Sequence, residues 1–246
     1  MHLNQFLTRQ LLRKVPEITV FFWIIKLLTT AMGESTSDFL VHHIDPVIAV
    51  GIGAVGFTIA MILQLLTKKY NAWIYWLAVT MVAIFGTMAA DVVHIVLGVP
   101  YLVSTITFAI VLTIIFFVWF RVEKTLSIHS ISTSRRELFY WLTIVATFAL
   151  GTAAGDMTAV TLNLGYLLSG IMFAILFGIP LLLYKFFKVN EVLTFWAAYI
   201  VTRPLGASFA DWFGRTTDMG GIGFGTGRTS IILTVLIVLF VGYVAL

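Results

Sequence analysis

Long hydrophobic runs, each the length of a whole helix, are separated by short polar segments along this chain. Apolar runs of about 20 residues, the length that crosses a bilayer as a helix, recur eight times between short polar segments. They cover approximately 17–38, 47–67, 72–92, 100–120, 138–157, 166–186, 191–211 and 229–246. The runs are continuous and lack the alternating polarity of a membrane β-strand. The pattern predicts an all-α, polytopic integral membrane protein with eight transmembrane helices in a single domain, 1–246.

A motif with invariant spacing recurs four times in these runs. An aromatic residue precedes a Trp, a Gly follows ten residues after the Trp, and an Asp follows five residues after the Gly. The copies are Phe22-Trp23…Gly33…Asp38, Tyr75-Trp76…Gly86…Asp91, Tyr140-Trp141…Gly151…Asp156 and Phe195-Trp196…Gly206…Asp211. Each copy lies on an odd-numbered run. We therefore expect four helical-hairpin repeats, approximately 14–70, 71–120, 138–188 and 190–246, in a pseudo-fourfold or two-by-two arrangement of parallel repeats.

The distribution of charge gives the predicted helices an orientation. The chain is 60% hydrophobic and 11% charged, and most of its 15 Lys and Arg residues lie in one set of connecting segments. These residues are Arg9, Arg13, Lys14, Lys68, Lys69, Arg121, Lys124, Arg135, Arg136, Lys185 and Lys188. The positive-inside rule places these segments and both termini in the cytoplasm. The same rule accounts for the net charge of +4, so the charge does not indicate nucleic-acid binding.

The four repeated Asp residues are the main candidates for chemistry. Carboxylates inside a membrane are costly and usually functional, and rings of carboxylates attract cations at pore mouths. We predict a cation site on the outer side, formed by Asp38, Asp91, Asp156 and Asp211 with help from Glu34. Oxygen ligands suit a divalent ion such as Mg²⁺, Mn²⁺ or Ca²⁺. The alternative is that the four Asp residues only terminate their helices.

Three histidines lie just beyond the acids, and two basic residues lie inside predicted spans. His42, His43 and His94 are secondary metal-ligand candidates, because imidazole beside carboxylate suits Mn²⁺, Zn²⁺ or a pH sensor; the alternative is ordinary loop or interface histidines. Lys26 and Arg203 occupy non-equivalent positions in their repeats. Since an unpaired cation in a bilayer is costly, we expect both to face the bundle and pair with carboxylates such as Glu34, or to gate the site.

The glycines and tryptophans of the motif have structural explanations. Each Gly precedes another small residue by four positions, a spacing that lets membrane helices pack closely. We therefore assign helix packing to Gly33, Gly86, Gly151 and Gly206. The four Trp residues are expected to anchor the helices at the membrane interface.

One segment of the chain resembles a known family. It runs from Lys14-Val15-Pro16-Glu17 through Phe22-Trp23-Ile24-Ile25-Lys26 to Gly33-Glu34-Ser35-Thr36-Ser37-Asp38. This stretch resembles a family of bacterial integral membrane proteins known only as uncharacterised membrane-anchored proteins. Ser35 and Ser37 stand where Thr and Ala are usual in its Gly-Glu-Thr-Ala-Ala-Asp motif. The resemblance implies a bacterial inner membrane and carries over no function.

Three hypotheses for function follow. The first is a membrane transporter or channel for an inorganic cation. The second is a non-transport sensor or assembly protein in which the Gly and Asp repeats are structural. The chain could also form a homo-oligomer through its Gly faces. The third, a membrane-embedded hydrolase, lacks a Ser-His-Asp order, an HExxH motif or a dinucleotide fingerprint, so no enzyme is predicted. The absence of Cys excludes disulfides and thiolate metal sites.

Overall fold

A computed structural model describes residues 13–246, which form eight α-helices and no β-strand. Arg9, which contributed to the predicted orientation, lies outside the described residues. The helices are α1 Val20–His43, α2 Pro46–Leu66, α3 Ala72–Asp91, α4 Tyr101–Glu123, α5 Ser134–Asp156, α6 Gly165–Phe187, α7 Glu191–Gly214 and α8 Thr226–Ala245. Short 3₁₀ turns occur at Ile128–Ser130 and Thr217–Met219. The predicted all-α class is confirmed.

Six of these helices are long and apolar enough to cross a membrane. They are α2, α3, α4, α5, α6 and α8, with α3 and α5 extended by the turns that follow them. The two others, α1 and α7, are as long, at 24 residues each. They are more polar because α1 contains Lys26, Glu34 and Asp38, and α7 contains Arg203 and Asp211, all of them buried.

The four odd-numbered helices, called the inner helices below, start in the same way. Each is preceded by a residue whose side chain accepts a hydrogen bond from the first turn: Thr19, Asn71, Thr133 and Asn190. Thr and Asn are favoured at this position because they satisfy backbone N–H groups that have no partner within the helix. The start of every inner helix is therefore specified locally by the sequence.

The inner helices contact one another in a closed ring. Helix α1 packs against α3 and α7, and α5 packs against the same two helices. The even helices lie outside, with α2 on α3, α4 on α5, α6 on α7 and α8 on α1. Each even helix thus packs mainly on the inner helix of the next repeat, whereas hairpins had been expected to pack within a repeat. The small residues of the inner helices draw these helices together, which leaves the apolar even helices to cover the outside.

The same glycine contact recurs around this ring. Each motif Gly faces the residue that lies three positions before the motif Gly of the next inner helix. A Cβ added at the Gly would lie 2.4 Å from Ala83 Cβ for Gly33, 3.2 Å from Phe148 Cβ for Gly86, 2.5 Å from Arg203 Cγ for Gly151 and 2.1 Å from Thr30 Oγ1 for Gly206. These contacts join α1 to α3, α3 to α5, α5 to α7 and α7 back to α1. The absence of side chains at these positions permits the close approach of the helices.

A second ring of contacts lies near the starts of the inner helices. The Trp of each repeat packs on the aromatic residue that precedes the Trp of the repeat before it. The ring centroids are 5.7 Å apart for Phe22–Trp76, 5.6 Å for Tyr75–Trp141, 6.2 Å for Tyr140–Trp196 and 5.6 Å for Phe195–Trp23. We call these eight residues the aromatic collar. Three of the four Trp residues are buried in it, so the expected role of all four as interface anchors is wrong for those three.

Candidate functional site

The four repeated Asp residues lie at the end of the inner helices opposite the aromatic collar, which we call the acidic end. Asp38 and Asp211 are buried within α1 and α7. Asp91 and Asp156 are partly buried and are the last residues of α3 and α5. A π-helical turn follows each of them, Val92–Val96 after α3 and Met157–Thr161 after α5. Both lie near enough to Glu34 to interact with it electrostatically.

Three of the five predicted acidic ligands have the spacing of a single ion site. Oxygen atoms of Glu34, Asp38 and Asp211 all lie within 4.8 Å of one another, and all three side chains are buried. Carboxylate oxygens at this spacing suit a hard cation. The structure therefore brings α1 and α7 together as the core of the candidate site, with Asp91 and Asp156 at its margin.

Arg215 bridges two of these carboxylates, a role that the sequence analysis missed. Its Nη2 lies 2.8 Å from Asp38 Oδ2 in an ion pair without hydrogen-bond geometry, and its Nε donates to Asp211 Oδ1 at 3.1 Å. Its guanidinium also lies over the Tyr166 ring, 6.0 Å from the centroid. The signal for the Asp211 contact was present in the sequence, because Arg215 follows Asp211 by four residues near a helix end.

Arg203 forms a deeper ion pair with Glu34. Its Nη2 donates to Glu34 Oε2 at 2.6 Å, to Thr152 Oγ1 at 2.9 Å and to Thr87 Oγ1, and its Nη1 donates to the Thr30 carbonyl at 3.4 Å. Glu34, Thr87 and Thr152 each directly follow a motif Gly. The space for the Arg203 stem comes from Gly151, where a Cβ would collide with it. This pair matches the ion-pair alternative that was expected for Arg203.

Lys26 has no carboxylate partner, unlike the ion pair expected for it. Its Nζ lies 4.0 Å from the centroid of the Phe148 ring and 4.2 Å from that of Tyr199. The side chain is fully buried, and within residues 13–246 Nζ forms no hydrogen bond. Lys26 lies eight residues before Glu34 in α1, about 12 Å further along the helix axis from the acidic end.

Side chains fill the bundle between the acidic end and the aromatic collar. The positions equivalent to Lys26 in the other repeats are Val79, Ile144 and Tyr199, and each of them is fully buried. Further toward the collar, the hydroxyl groups of Tyr75 and Tyr140 form a hydrogen bond. Several layers of packed residues thus separate the acidic end of the inner helices from the aromatic collar.

The three candidate histidines do not belong to the cluster of Glu34, Asp38 and Asp211. His42 and His43 are exposed, and their Nδ1 atoms lie 2.6 Å and 2.8 Å from the carbonyls of Asp38 and Phe39. The Nδ1 of His94 lies 3.2 Å from the Val99 carbonyl, and its ring packs against Tyr101. Their proposed role as metal ligands stays a prediction.

Comparison with known proteins identifies the repeat. One family model matches the chain four times, over residues 21–70, 74–125, 139–190 and 194–246, and is described as a Repeat of Unknown Function (DUF347). No curated protein and no solved structure matches the chain. The matches show four repeats and bring no activity with them.

Proposed function

We propose that this chain, which belongs to the DUF347 family of repeats of unknown function, is a membrane transporter for a cation, with a divalent metal ion as the leading substrate class. In this proposal all eight helices cross a bacterial inner membrane around a pseudo-fourfold axis, with the acidic end outside and both termini in the cytoplasm. The recurring glycine contact and the aromatic collar support the axis, because each joins equivalent positions of successive repeats around the whole ring. The basic residues of the connecting segments support the orientation.

The observation that carries the proposal is that carboxyl groups outnumber their basic partners at the acidic end. Five carboxylates share the acidic end, whereas in the described chain only two guanidinium groups, those of Arg203 and Arg215, pair with carboxylates there. Asp91 and Asp156 are left without a basic partner among residues 13–246. Charges in a low-dielectric interior require compensation. A cation bound among these oxygens would supply it, and a hard divalent ion suits an all-carboxylate ligand set.

Arg215 has the properties of an internal cation that a substrate displaces. It lies just beyond the end of α7, its side chain is 20% exposed, and it occupies the space between Asp38 and Asp211. A divalent ion that enters from the acidic end would replace the guanidinium and release it toward water. Arg203 is fully buried and stays with Glu34. Since the bundle is packed below this pair, the arrangement favours a carrier that changes conformation over an open channel.

The test is thermal unfolding of the detergent-purified protein against a panel of cations. A ligand that binds only the folded state stabilises it by about 2.7 kcal/mol at 100 times its Kd. We expect one divalent cation to raise the melting temperature of the parent. We expect no such effect in the Asp91→Asn/Asp156→Asn variant.

Arg215→Gln should bind the ion more tightly than the parent, because the competing charge is gone. The control is Arg228→Gln, which removes an exposed outer-side arginine and should behave like the parent. Absence of any ion effect in both the parent and Arg215→Gln would refute the proposal.

The alternative is a non-transport sensor or assembly protein in which the repeats serve packing alone. The glycine contacts and the aromatic collar favour this alternative, because both hold the ring of inner helices together without a ligand. Under this alternative, Asp91→Asn/Asp156→Asn would change the melting temperature equally with and without cations. The same experiment therefore separates the two hypotheses.

A further inference from the structure

We infer that Lys26 is a proton-binding site and that the proposed transporter exchanges its cation for a proton. The inference rests on the proposed function and adds the coupling ion to it. The observation behind it is a buried amine that lacks both a carboxylate partner and a hydrogen-bond acceptor within the described residues. This amine lies between the acidic site and the aromatic collar.

The surroundings of Lys26 stabilise its charge only in part. The Phe148 ring of α5 and the Tyr199 ring of α7 both lie within cation–π distance of Nζ. Those contacts favour the ammonium, whereas complete burial favours the neutral amine. Arg203, on the same helix as Tyr199, adds a repelling positive charge. With opposing influences of this kind, the amine is able to change its protonation state during a transport cycle.

The ionisable groups on the neighbouring helices do not include an anion paired with Lys26. Helix α3 carries Tyr75, in the aromatic collar, and Asp91, at the acidic end. Helix α5 carries Tyr140 and Asp156 in the corresponding places, and its first turn carries Arg135, Arg136 and Glu137. Helix α7 carries Glu191 in its first turn, then Tyr199, Arg203 and Asp211, and α8 carries Arg228 and Tyr243 near its ends. Helix α2 has no ionisable side chain, and in α1 itself the acids are Glu34 and Asp38.

The contrast with Arg203 separates a structural cation from an exchangeable one. A guanidinium does not lose its proton in proteins, and the charge of Arg203 is matched by Glu34 at 2.6 Å. A lysine amine does lose its proton when its surroundings disfavour the charge. Among the buried basic residues of the inner helices that the structure describes, Lys26 is the one whose charge is not matched.

Repulsion would make the bound cation and the Lys26 proton weaken each other's binding. The acidic site and Lys26 are about 12 Å apart along α1, a separation at which a divalent ion and a unit charge weaken each other's binding about a hundredfold at an effective dielectric constant of 20. When the cation enters and the carrier changes conformation so that water reaches Nζ, the ammonium breaks one N–H bond, gives the proton to that water and becomes a neutral amine. When the cation leaves, the amine takes a proton back. Alternating occupancy of this kind is an antiport cycle.

The experiment measures cation flux and proton movement together in proteoliposomes that contain a pH-sensitive dye. We expect the parent to move protons against the cation, and Lys26→Met to lose at least about nine tenths of this proton movement, as for a coupling that rests on one group. Lys26→Arg, whose charge is permanent, should slow cation flux about tenfold or more. Lys185→Met, which removes an exposed lysine of α6, should match the parent.

The outcomes separate the two proposals. No cation flux in the parent would refute the transporter, and the antiport with it. Cation flux in the parent without proton movement would refute the antiport alone, and this result does not depend on any variant folding. Proton movement that is equal in the parent and in folded Lys26→Met would assign the coupling to another group and refute the role of Lys26.

Discussion

At the scale of single residues, Arg203 is the side chain that connects the inner helices. It extends from α7 and contacts Glu34 and Thr30 of α1, Thr87 of α3 and Thr152 of α5. Its removal would leave the Glu34 carboxylate buried without a partner. We therefore expect Arg203→Met to lower the free energy of unfolding by about 3–5 kcal/mol, the usual cost of breaking a buried ion pair. Denaturant or thermal unfolding in detergent measures the change.

The double variant tests whether the lost ion pair is the cause. In Arg203→Met/Glu34→Gln the uncompensated charge is absent, so the double variant should be more stable than Arg203→Met. The interaction free energy from the double-mutant cycle is the quantity to compare. A double variant whose destabilisation equals the sum of the two single effects would mean that Arg203 acts through packing and not through its charge.

The sequence predicted the residues of the candidate site better than it predicted their partners. The four Asp residues were identified by their invariant spacing and Glu34 as a further acid of the first predicted span, and the structure places all five at one end of the bundle. The partner of Lys26 was predicted wrongly, since Phe148 and Tyr199 lie far from it in the sequence and become neighbours only when α1, α5 and α7 meet. Arg215 was missed as a partner of Asp38 for the same reason.

At the scale of helices, the number and type of elements followed from local signals, and their packing did not. Apolar length predicts each helix separately, capping side chains fix the starts of the inner helices, and the predicted boundaries lie within five residues of those observed. The packing of each even helix on the next repeat depends on contacts between distant segments. The expected hairpins assumed that neighbours in sequence are neighbours in space, whereas the glycine contacts of the inner helices determine which surfaces remain for the even helices.

The glycine contacts give a prediction for helix packing. A Cβ at position 33 would lie 2.4 Å from Ala83 Cβ and 2.7 Å from its backbone carbon, so α1 and α3 must separate to admit it. We expect Gly33→Ala to lower the free energy of unfolding by about 1–3 kcal/mol, as overpacked sites do. Gly86→Ala should cost less, because Phe148 is 3.2 Å away and is contacted through its side chain. Thermal unfolding of purified variants compares them.

The matched control for these variants is Gly178→Ala in α6. Nothing lies within 4 Å of a Cβ at this position, so the change adds no collision and reduces the flexibility of the unfolded chain. It should leave stability unchanged or raise it by up to about 1 kcal/mol. If Gly33→Ala behaved like Gly178→Ala, the close contact between α1 and α3 would not be a determinant of stability.

At the scale of the whole molecule, the proposed topology depends on α1 and α7. Six helices qualify as membrane spans by length and composition, and the two that do not carry the buried residues Lys26, Glu34, Asp38, Arg203 and Asp211. A helix of 24 residues is about 36 Å long, enough to cross a bilayer. Polar residues are tolerated in such a helix when they face the interior of a bundle. The central position of α1 and α7 in the ring is thus compatible with their crossing alongside the other six.

Single cysteines introduced into this chain test that topology without background, because the natural sequence contains none. Ile44→Cys, between α1 and α2, and Met219→Cys, after α7, should react with a membrane-impermeant maleimide added to intact cells. Glu17→Cys, before α1, and Lys188→Cys, before α7, should react only after permeabilisation; all four positions are exposed. The two groups report on opposite ends of α1 and α7, so equal labelling of all four from one side would show that these helices do not cross. Labelling of Glu17→Cys and Lys188→Cys alone in intact cells would instead invert the orientation, and the acidic site would then open to the cytoplasm.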